Sequence, residues 1–263
     1  MNDYNAIFEG KLPEPGDFPA CYAFSLHKAG SSMMFGMIEA VARVEGIPAI
    51  TFPDILFEAG VIDNNWSDEE YLLKYFLRGR VYFGFRYLPT FFSKNRELID
   101  QSRSIILVRD PRDALVSQYF SFQGSHVLPE VNKDVYLESF KKTSQFDIDE
   151  YVLASAAGYK NKISDYIDFV DMKSMRVFRY EDVIFNKKRF LEEIFLHFMI
   201  SVSNETIDEV SAKFDLRPEI ENVKAHVRKV TPGDHKDKLK KETIEKLNQE
   251  FAEICAHFGY DLR

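Results

Sequence analysis

Residues 104–117 read Ser-Ile-Ile-Leu-Val-Arg-Asp-Pro-Arg-Asp-Ala-Leu-Val-Ser, and this stretch decides the fold class. Its apolar, β-branched beginning predicts a buried strand over Ser104–Arg109. Pro111 then stands where a helix accepts a proline in its first turn, with Asp110 as the N-cap and Asp113 in the first turn. A strand that passes directly into a helix is the unit from which parallel α/β sheets are built.

The same succession occurs elsewhere in the chain. Cys21–Leu26 predicts a buried strand, and the apolar residues from Met33 to Val44 recur at helical spacing after a loop of small residues. Further strands are predicted at Val81–Phe85 and Met175–Tyr180, and further helices at about residues 148–169, 187–198 and 240–258. This alternation predicts an α/β fold in which helices flank a central parallel β-sheet.

One domain is expected to span residues 1–263. Residues 10–20 hold three prolines and two glycines, so residues 1–20 are predicted to form an irregular lead-in. Ligands of parallel sheets bind beyond the carboxyl ends of the strands, and the loops that follow the strands are therefore the places to look for a site.

The loop after the first predicted strand has the composition of a phosphate cradle. Residues 26–32 read Leu-His-Lys-Ala-Gly-Ser-Ser. Gly30 accepts a positive φ, Ser31 and Ser32 bring hydroxyl and N–H groups to a helix N-terminus, and Lys28 adds a full positive charge. The loop is not a Walker A motif, since Lys28 precedes its only glycine. An ordinary strand-to-helix turn with an exposed lysine is the alternative.

The loop after Ser104–Arg109 adds a second anion-binding pair. Arg109 closes the strand, and Ser117 falls about two helical turns later. A guanidinium offers a phosphate two parallel hydrogen bonds, and a serine hydroxyl adds a directional one. The alternative is that Arg109 pairs with Asp113 or Asp110 at the start of the helix.

These blocks resemble the family of sulfotransferases that use 3'-phosphoadenosine-5'-phosphosulfate (PAPS), and the resemblance extends over about residues 21–258. It implies a three-layer, P-loop-like α/β fold. By this resemblance, Arg109 and Ser117 hold the 3'-phosphate of PAPS. The 5'-phosphosulfate loop, with Ser where Thr is common and Met where Trp is common, is Lys28, Ala29, Gly30, Ser31, Ser32 and Met33.

Two further blocks carry the resemblance. In Arg-Tyr-Glu-Asp at 179–182, the family pattern implies that Tyr180 contacts the adenine; the alternative is a half-buried tyrosine at a strand end. Residues 228–235 read Arg-Lys-Val-Thr-Pro-Gly-Asp-His and resemble the family's R-K-G-x-x-G-D-W loop, with Val230 in place of the first Gly and His235 in place of Trp. The resemblance implies that Arg228 and Lys229 add cations at the 3'-phosphate and that the loop around Gly233 covers the donor. A solvated basic loop is the alternative.

The resemblance implies the transfer of a sulfonate group from PAPS, the co-substrate, to a hydroxyl or amine. The acceptor would be a small molecule, a lipid-like molecule or a carbohydrate, and the product nucleotide 3',5'-diphosphoadenosine (PAP). Lys28 would stabilise the leaving phosphate, and no metal is required. Two alternatives stay open: a retired sulfotransferase fold that binds a nucleotide or a partner, and a nucleotide-dependent kinase.

The catalytic base is the least determined residue. The family places a histidine in His-Leu-Pro, 22 residues before the 3'-phosphate arginine, and in this chain that position is Tyr87 in Tyr-Leu-Pro. A tyrosine has an ordinary pKa near ~10, so it needs cations such as Arg86 or Lys28 nearby to act as a base.

Other residues offer a base by different routes. Carbohydrate-modifying and tyrosylprotein-modifying members of the family use a carboxylate, for which Asp54 and Glu58 are the candidates. His126 follows the helix of the second motif, and His27 neighbours the phosphate loop. We rank Asp54 and Tyr87 first, followed by His126.

Aromatic residues are 14% of the chain, and those in segments 52–58, 75–92 and 119–122 either line an apolar acceptor pocket or belong to the core.

A net charge of −8 argues against nucleic-acid or membrane-surface partners. Cys21 and Cys255 are read as reduced, packed residues. The N-terminus does not resemble a signal peptide, so a cytoplasmic protein is expected.

The oligomeric state stays open between a monomer and a weak dimer. Lys236 and Glu245 match the ends of the family's C-terminal dimer motif, but Lys240 and Lys241 replace its Thr-Val. Adjacent lysines would repel those of a symmetry mate.

Overall fold

The computed structural model describes residues 4–61, 66, 70–125, 140–141, 143–216 and 230–262. Within them, five parallel strands form one sheet in the order β2-β3-β1-β4-β5. Strands β1 and β3 are buried along their whole length, as expected for a parallel sheet covered on both faces. The predicted fold class, a central parallel sheet flanked by helices, is confirmed. The strands are β1 Cys21–Ser25, β2 Ala49–Thr51, β3 Val81–Phe85, β4 Arg103–Val108 and β5 Met175–Arg179.

Helices occupy most of the remaining described chain. They are α1 Tyr4–Phe8, α2 Ser31–Glu45, α3 Phe52–Glu58, α4 Thr90–Lys94, α5 Arg96–Asp100, α6 Pro111–Phe120, α7 Ile148–Val170, α8 Tyr180–Val183, α9 Lys187–Phe198, α10 Asn204–Phe214, α11 Asp234–Lys238, α12 Lys241–Glu250 and α13 Ala252–Phe258. A 3-10 helix covers Glu70–Tyr75, and a π-helical turn covers Ser121–Ser125. Among these described helices, none is both long enough and apolar enough to span a membrane.

The chain divides into two compact units. The first comprises Met1–Val108 with Asp165–Asp215 and holds the whole sheet; the second comprises Arg109–Ser164 with Leu216–Arg263. The expectation of one domain over residues 1–263 stays a prediction.

Two local predictions differ from the structure. The lead-in is not wholly irregular, because helix α1 forms there and stacks the buried Phe8 ring on Phe52 at 4.5 Å between centroids. The helix predicted over residues 240–258 is two helices that break at Phe251. Phe251, the residue between the two helices, is fully buried, and neither a glycine nor a proline marks the break.

The order of the strands marks one place on the sheet for a ligand. The chain leaves β1 toward β2, on one side, and leaves β4 toward β5, on the other, although β1 and β4 are neighbours. Connections that diverge in this way open a crevice at the carboxyl ends of the two strands. The Leu26 N–H donates to the carbonyl of Leu107 at 3.0 Å, so the loop after β1 begins at this crevice.

A bulge in β3 changes the direction of the chain at the same edge of the sheet. The pairing of β1 with β3 shifts register between Tyr22 and Phe24, where β3 carries one extra residue. Gly84 lies in this bulge with φ 96°, a conformation that residues with a Cβ rarely adopt. The residues that follow this bulge after β3 are Arg86 and Tyr87.

Both cysteines are free and buried, which confirms that they are packed, reduced residues. Burial raises the pKa of the Cys21 thiol. Burial, together with the charge of Asp110, raises the pKa of Cys255 to about 12, against a smaller opposing effect of Arg112. Neither thiol is therefore reactive in the folded chain.

Candidate active site

The predicted phosphate loop lies between β1 and α2 and holds two residues with positive φ. Gly30 has φ 96° and Lys28 has φ 66°. A positive φ is easy for glycine, whereas for lysine it costs on the order of 1 kcal/mol. Ala29 between them is fully buried, so the loop is anchored at its centre. Strain held at a cationic residue beside a helix N-terminus is typical of a functional site.

The N-terminus of α2 is suited to an anion. Gly30 is its N-cap, and no side chain caps the helix. The first N–H groups of a helix have no partners within it, and its dipole favours negative charge there. Ser31 is 7% exposed, Ser32 is exposed and Met33 is half-buried, so the first turn presents both a buried and an accessible hydroxyl.

The phosphate loop and the predicted adenine-binding tyrosine are in contact. A Cβ on Gly30 would stand 2.9 Å from Cδ2 of Tyr180, so only glycine fits against this ring. Tyr180 is 5% exposed and begins α8, directly after β5. Tyr180 is therefore buried rather than half-buried, and its role in binding adenine stays a prediction. Two blocks separated by about 150 residues thus form one surface within the first unit.

Arg86 contacts the start of α2, which the sequence did not predict. Its Nε–H donates to Oγ of Ser31 at 3.3 Å, and its guanidinium lies 5.6 Å from the centre of the Phe35 ring. Its charge also partly offsets the rise that desolvation causes in the pKa of the Asp54 carboxyl. The sequence pointed to Arg86 as a neighbour of Tyr87, whereas its side chain donates to Ser31 in the first turn of α2 and interacts electrostatically with Asp54.

Asp54 lies in the first turn of α3 and is exposed. Desolvation by the surrounding protein raises the pKa of its carboxyl, Arg86 opposes this rise, and Glu58 and Glu39 add to it. Glu58, the other predicted carboxylate, is also exposed, at the end of α3. A carboxylate that water reaches, with a raised pKa and a guanidinium nearby, has the properties of a general base.

Tyr87 stands in a different environment. It is half-buried, and its ring lies 6.0 Å from that of Trp66. Burial raises the pKa of its phenol above the ordinary value of 10, and no nearby cation is among the causes of the shift. The phenol is therefore harder to deprotonate than a free tyrosine.

Most aromatic residues of segment 75–92 belong to the core of the first unit. Phe76, Phe85, Phe91 and Phe92 are each at most 6% exposed, and their rings contact one another with centroids 4.7 to 6.3 Å apart. These four aromatic residues therefore belong to the core and do not line an acceptor pocket. In segment 119–122, Tyr119, Phe120 and Phe122 are half-buried.

In the second unit, Arg109 lies just before α6 and Ser117 lies within it. Arg109 is 6% exposed, and its Nη2 lies 3.8 Å from Oδ2 of Asp113, so the predicted alternative of an ion pair at the helix start is present. Asp110 is the N-cap, as predicted, and accepts the Arg112 N–H. Ser117 is half-buried in the second turn of α6.

Gly233, predicted to belong to the donor loop, is bound by this same carboxylate. Its N–H donates to Oδ2 of Asp113 at 2.6 Å, and its φ is 90°. Burial by itself would raise the pKa of Asp113, but the His235 hydrogen bond and the charges of Arg109 and His235 outweigh it and lower the pKa to about 2. Asp113 is therefore ionised at neutral pH, and the Gly233 amide is already engaged.

Three predicted site residues, His126, Arg228 and Lys229, lie outside the described residues. The fourth block is described only from Val230 onward. His27, in the phosphate loop, is half-buried. Within the described ranges, no group of three or more His, Cys, Asp or Glu residues is placed to hold a metal ion.

Solved structures with the same fold include proteins described with PAP. The mouse sulfotransferase SULT7A1 complexed with PAP has a TM-score of 0.55 at 15% identity, over 92% of this chain and 85% of that chain. Retinol dehydratase in complex with androsterone and inactive cofactor PAP has a TM-score of 0.51 at 16% identity, over 99% and 86%. Retinol dehydratase in a complex with retinol and PAP has a TM-score of 0.51 at 15% identity, over 99% and 86%. These similarities establish the fold.

Sequence comparison identifies the family. No curated protein sequence matches the chain significantly. The model of the sulfotransferase domain matches residues 95–259, which include the Arg109, Tyr180 and Gly233 blocks but not the phosphate loop. Because this match spans more than half of the 263 residues, the chain belongs to the sulfotransferase domain family.

Proposed function

We propose that this chain is an enzyme that transfers the sulfonate group of PAPS to a hydroxyl or amine and releases PAP. The observation that carries the proposal is the contact between Gly30 and the ring of Tyr180. It joins the loop proposed for the 5'-phosphosulfate to the ring proposed for the adenine, and PAPS presents both groups on one nucleotide. Membership of the sulfotransferase domain family supports the same conclusion.

The 5' end of the donor is assigned to the phosphate loop. Ser31 and Ser32 bind the 5'-phosphate through their hydroxyl groups and the N-terminus of α2, in the loop anchored by Ala29 and bordered by Met33. Lys28 places its ammonium where charge develops on the leaving oxygen, which is the largest single source of rate in reactions of this type. A Cβ at position 30 would close the cradle against Tyr180, so the residues present fit such a donor.

The 3'-phosphate is assigned to Arg109 and Ser117. A buried guanidinium and a hydroxyl two helical turns further on give a phosphate a bidentate and a directional contact. Arg228 and Lys229 are proposed to add positive charge at the same phosphate. A nucleotide without a 3'-phosphate, such as AMP or ATP, cannot make these contacts.

Asp54 is the proposed catalytic base. PAPS supplies an activated sulfonate, whose sulfur forms a bond with the acceptor oxygen or nitrogen as its bond to the 5'-phosphate oxygen breaks. The acceptor proton must leave, and the Asp54 carboxylate is accessible and electrostatically coupled to Arg86, which itself contacts Ser31 of the phosphate loop. The raised pKa of Asp54 makes it a stronger base than an ordinary aspartate.

Tyr87 and His126 are the alternatives for this role. Burial raises the pKa of the Tyr87 phenol, which disfavours it as a base at neutral pH. His126 lies outside the described residues and stays a prediction.

Among the acceptors, a small-molecule or lipid-like compound is favoured over a carbohydrate. Two structures with the same fold are described with retinol or androsterone besides PAP, and both compounds are apolar. The half-buried aromatic residues Tyr119, Phe120 and Phe122 provide apolar surface of the kind that such an acceptor requires.

Turnover of PAPS across pH tests this function. The wild type is expected to release PAP in the presence of a suitable apolar alcohol, phenol or amine. Because the pKa of Asp54 is raised and a base acts when deprotonated, the rate should fall as the pH drops through a midpoint above the ordinary 3.8. Asp54→Asn should lower kcat by about a hundredfold or more and abolish this acidic limb.

Glu39→Gln is the matched control for Asp54→Asn. Glu39 raises the pKa of Asp54 from the exposed side of α2, so its loss should move the acidic limb to lower pH and leave kcat unchanged. An acidic limb that persists in Asp54→Asn would reassign the base to Tyr87 or His126. Turnover of ATP in place of PAPS would favour a kinase, and binding of PAP without turnover of PAPS with any acceptor would favour a retired fold.

A further inference from the structure

The carboxylate of Asp113 organises the turn before α11. Asp113 is 1% exposed, and its Oδ1 accepts the His235 backbone N–H at 2.9 Å and the His235 ring Nδ1–H at 2.6 Å. Its Oδ2 accepts the Gly233 N–H at 2.6 Å. These contacts join residues about 120 positions apart within the second unit. The anion at the start of α11 is thus a side chain of the protein itself.

The donor atom of the His235 ring follows from these contacts. Because the pKa of Asp113 is lowered to about 2, the carboxylate is ionised and Nδ1 of His235 carries the proton. The ring is 1% exposed, and its Nε2 has no hydrogen-bond partner in the part of the chain that the structure describes. The family pattern has Trp at this position, so the bond between imidazole and carboxylate depends on the histidine of this chain.

The same carboxylate also faces Arg109. Its Oδ2 lies 3.8 Å from Nη2 of Arg109, which is an ion-pair distance but longer than a hydrogen bond. The two oxygens already accept three N–H groups from the 233–235 turn, so Asp113 acts on Arg109 through its charge. One buried carboxylate therefore holds the turn of the fourth block and lies at ion-pair distance from the arginine of the second.

We propose that Asp113 and His235 form a positioning pair that sets the preference of the donor site for a 3'-phosphate. The pair fixes the 233–235 turn and the direction of the Arg109 guanidinium before the nucleotide binds, so little ordering is left for the binding step. This inference rests on the proposed function, since it assigns a structural cause to the recognition of PAP. Neither residue needs to touch the nucleotide.

Calorimetry on Asp113→Asn, with PAP and AMP as ligands, tests the pair. An asparagine accepts through one oxygen only, and its NH₂ group would face an N–H donor of the turn. We expect the Kd for PAP to rise by about 10-fold to 100-fold, the loss of one or two charge-assisted hydrogen bonds, while the Kd for AMP stays within about twofold. The measured quantity is the ratio of the two constants, which a general loss of folded protein does not change.

Variants of His235 separate the hydrogen bond from packing. His235→Asn retains an N–H near the position of Nδ1 and should keep most of the preference for PAP, whereas His235→Phe keeps a ring without this donor and should lose it. Asp149→Asn is the matched control. Asp149 accepts the Lys240 N–H at 2.9 Å in the same unit, and its loss should leave the ratio unchanged.

The outcomes distinguish this inference from the function beneath it. A wild-type protein without preference for PAP over AMP overturns both. A wild-type preference that Asp113→Asn and His235→Phe leave intact overturns the positioning pair alone. Tighter binding of PAP by Asp113→Asn also overturns it, because Asp113 would then only neutralise Arg109.

Discussion

Replacing Lys28 by glycine is expected to lower kcat with PAPS about a thousandfold and to leave the stability of the fold nearly unchanged. The ammonium is the cation proposed to stabilise the leaving phosphate, and removing one such group typically costs about a hundredfold to a thousandfold. Lys28 also holds a positive φ of 66°, which glycine adopts without strain. Relief of that strain offsets the greater freedom that glycine gives to the unfolded chain, so the free energy of unfolding should change by less than about 1 kcal/mol.

Steady-state kinetics and urea unfolding of the same preparation check this result. Lys28→Arg keeps a cation at the strained position and should lose far less activity than Lys28→Gly. Lys11→Gly removes an exposed lysine from the lead-in and should alter neither quantity. A fully active Lys28→Gly enzyme would mean that another cation stabilises the leaving phosphate.

Replacing Arg112 by methionine is expected to destabilise the second unit by about 3 to 5 kcal/mol. Arg112 is 2% exposed and donates to both carboxylate oxygens of Asp110, from Nε at 2.9 Å and from Nη2 at 2.6 Å. It also donates to Oδ1 of Asn248 and to the carbonyl of Asp261, each at 2.6 Å. Methionine would keep much of the volume but leave the carboxylate without its guanidinium, and breaking a buried pair in this way has a cost of that size.

Arg43→Met is the control for Arg112→Met, because Arg43 forms an exposed ion pair with Glu39 at 3.0 Å on the surface of α2. An exposed pair of this kind contributes less than about 0.5 kcal/mol. Thermal and urea unfolding of both variants gives the comparison. Equal midpoints for the two variants would show that the guanidinium of Arg112 does not hold the start of α6 in place.

The parts of the fold that depend on local pattern were predictable from the sequence. The run of β-branched residues before Pro111 and the N-cap at Asp110 determine a strand and a helix start from neighbouring residues alone, and both are present. The break at Phe251 was not predictable, because neither a glycine nor a proline marks it.

The candidate site, too, has some features that the sequence predicted and others that it did not. Counting residues identified Tyr87 as the position of the family's histidine. The sequence did not indicate that burial would raise the pKa of its phenol. Arg86 was visible as a cation, whereas its contact with Ser31 joins residues 55 positions apart, which no local pattern indicates. The hydrogen bond between Asp113 and His235 joins residues 122 positions apart, and no local sequence pattern predicts it.

Binding of PAP, compared with AMP and ATP by calorimetry, tests the central claim most directly. We predict a Kd for PAP of about 1 μM or lower, equivalent to about −8 kcal/mol, and binding at least about a hundredfold weaker for AMP and ATP. The Arg109→Ala variant, once shown to be folded, should bind PAP with a Kd close to that for AMP. Equal binding of ATP and PAP, or no binding of either, would contradict the assignment of this site to PAPS.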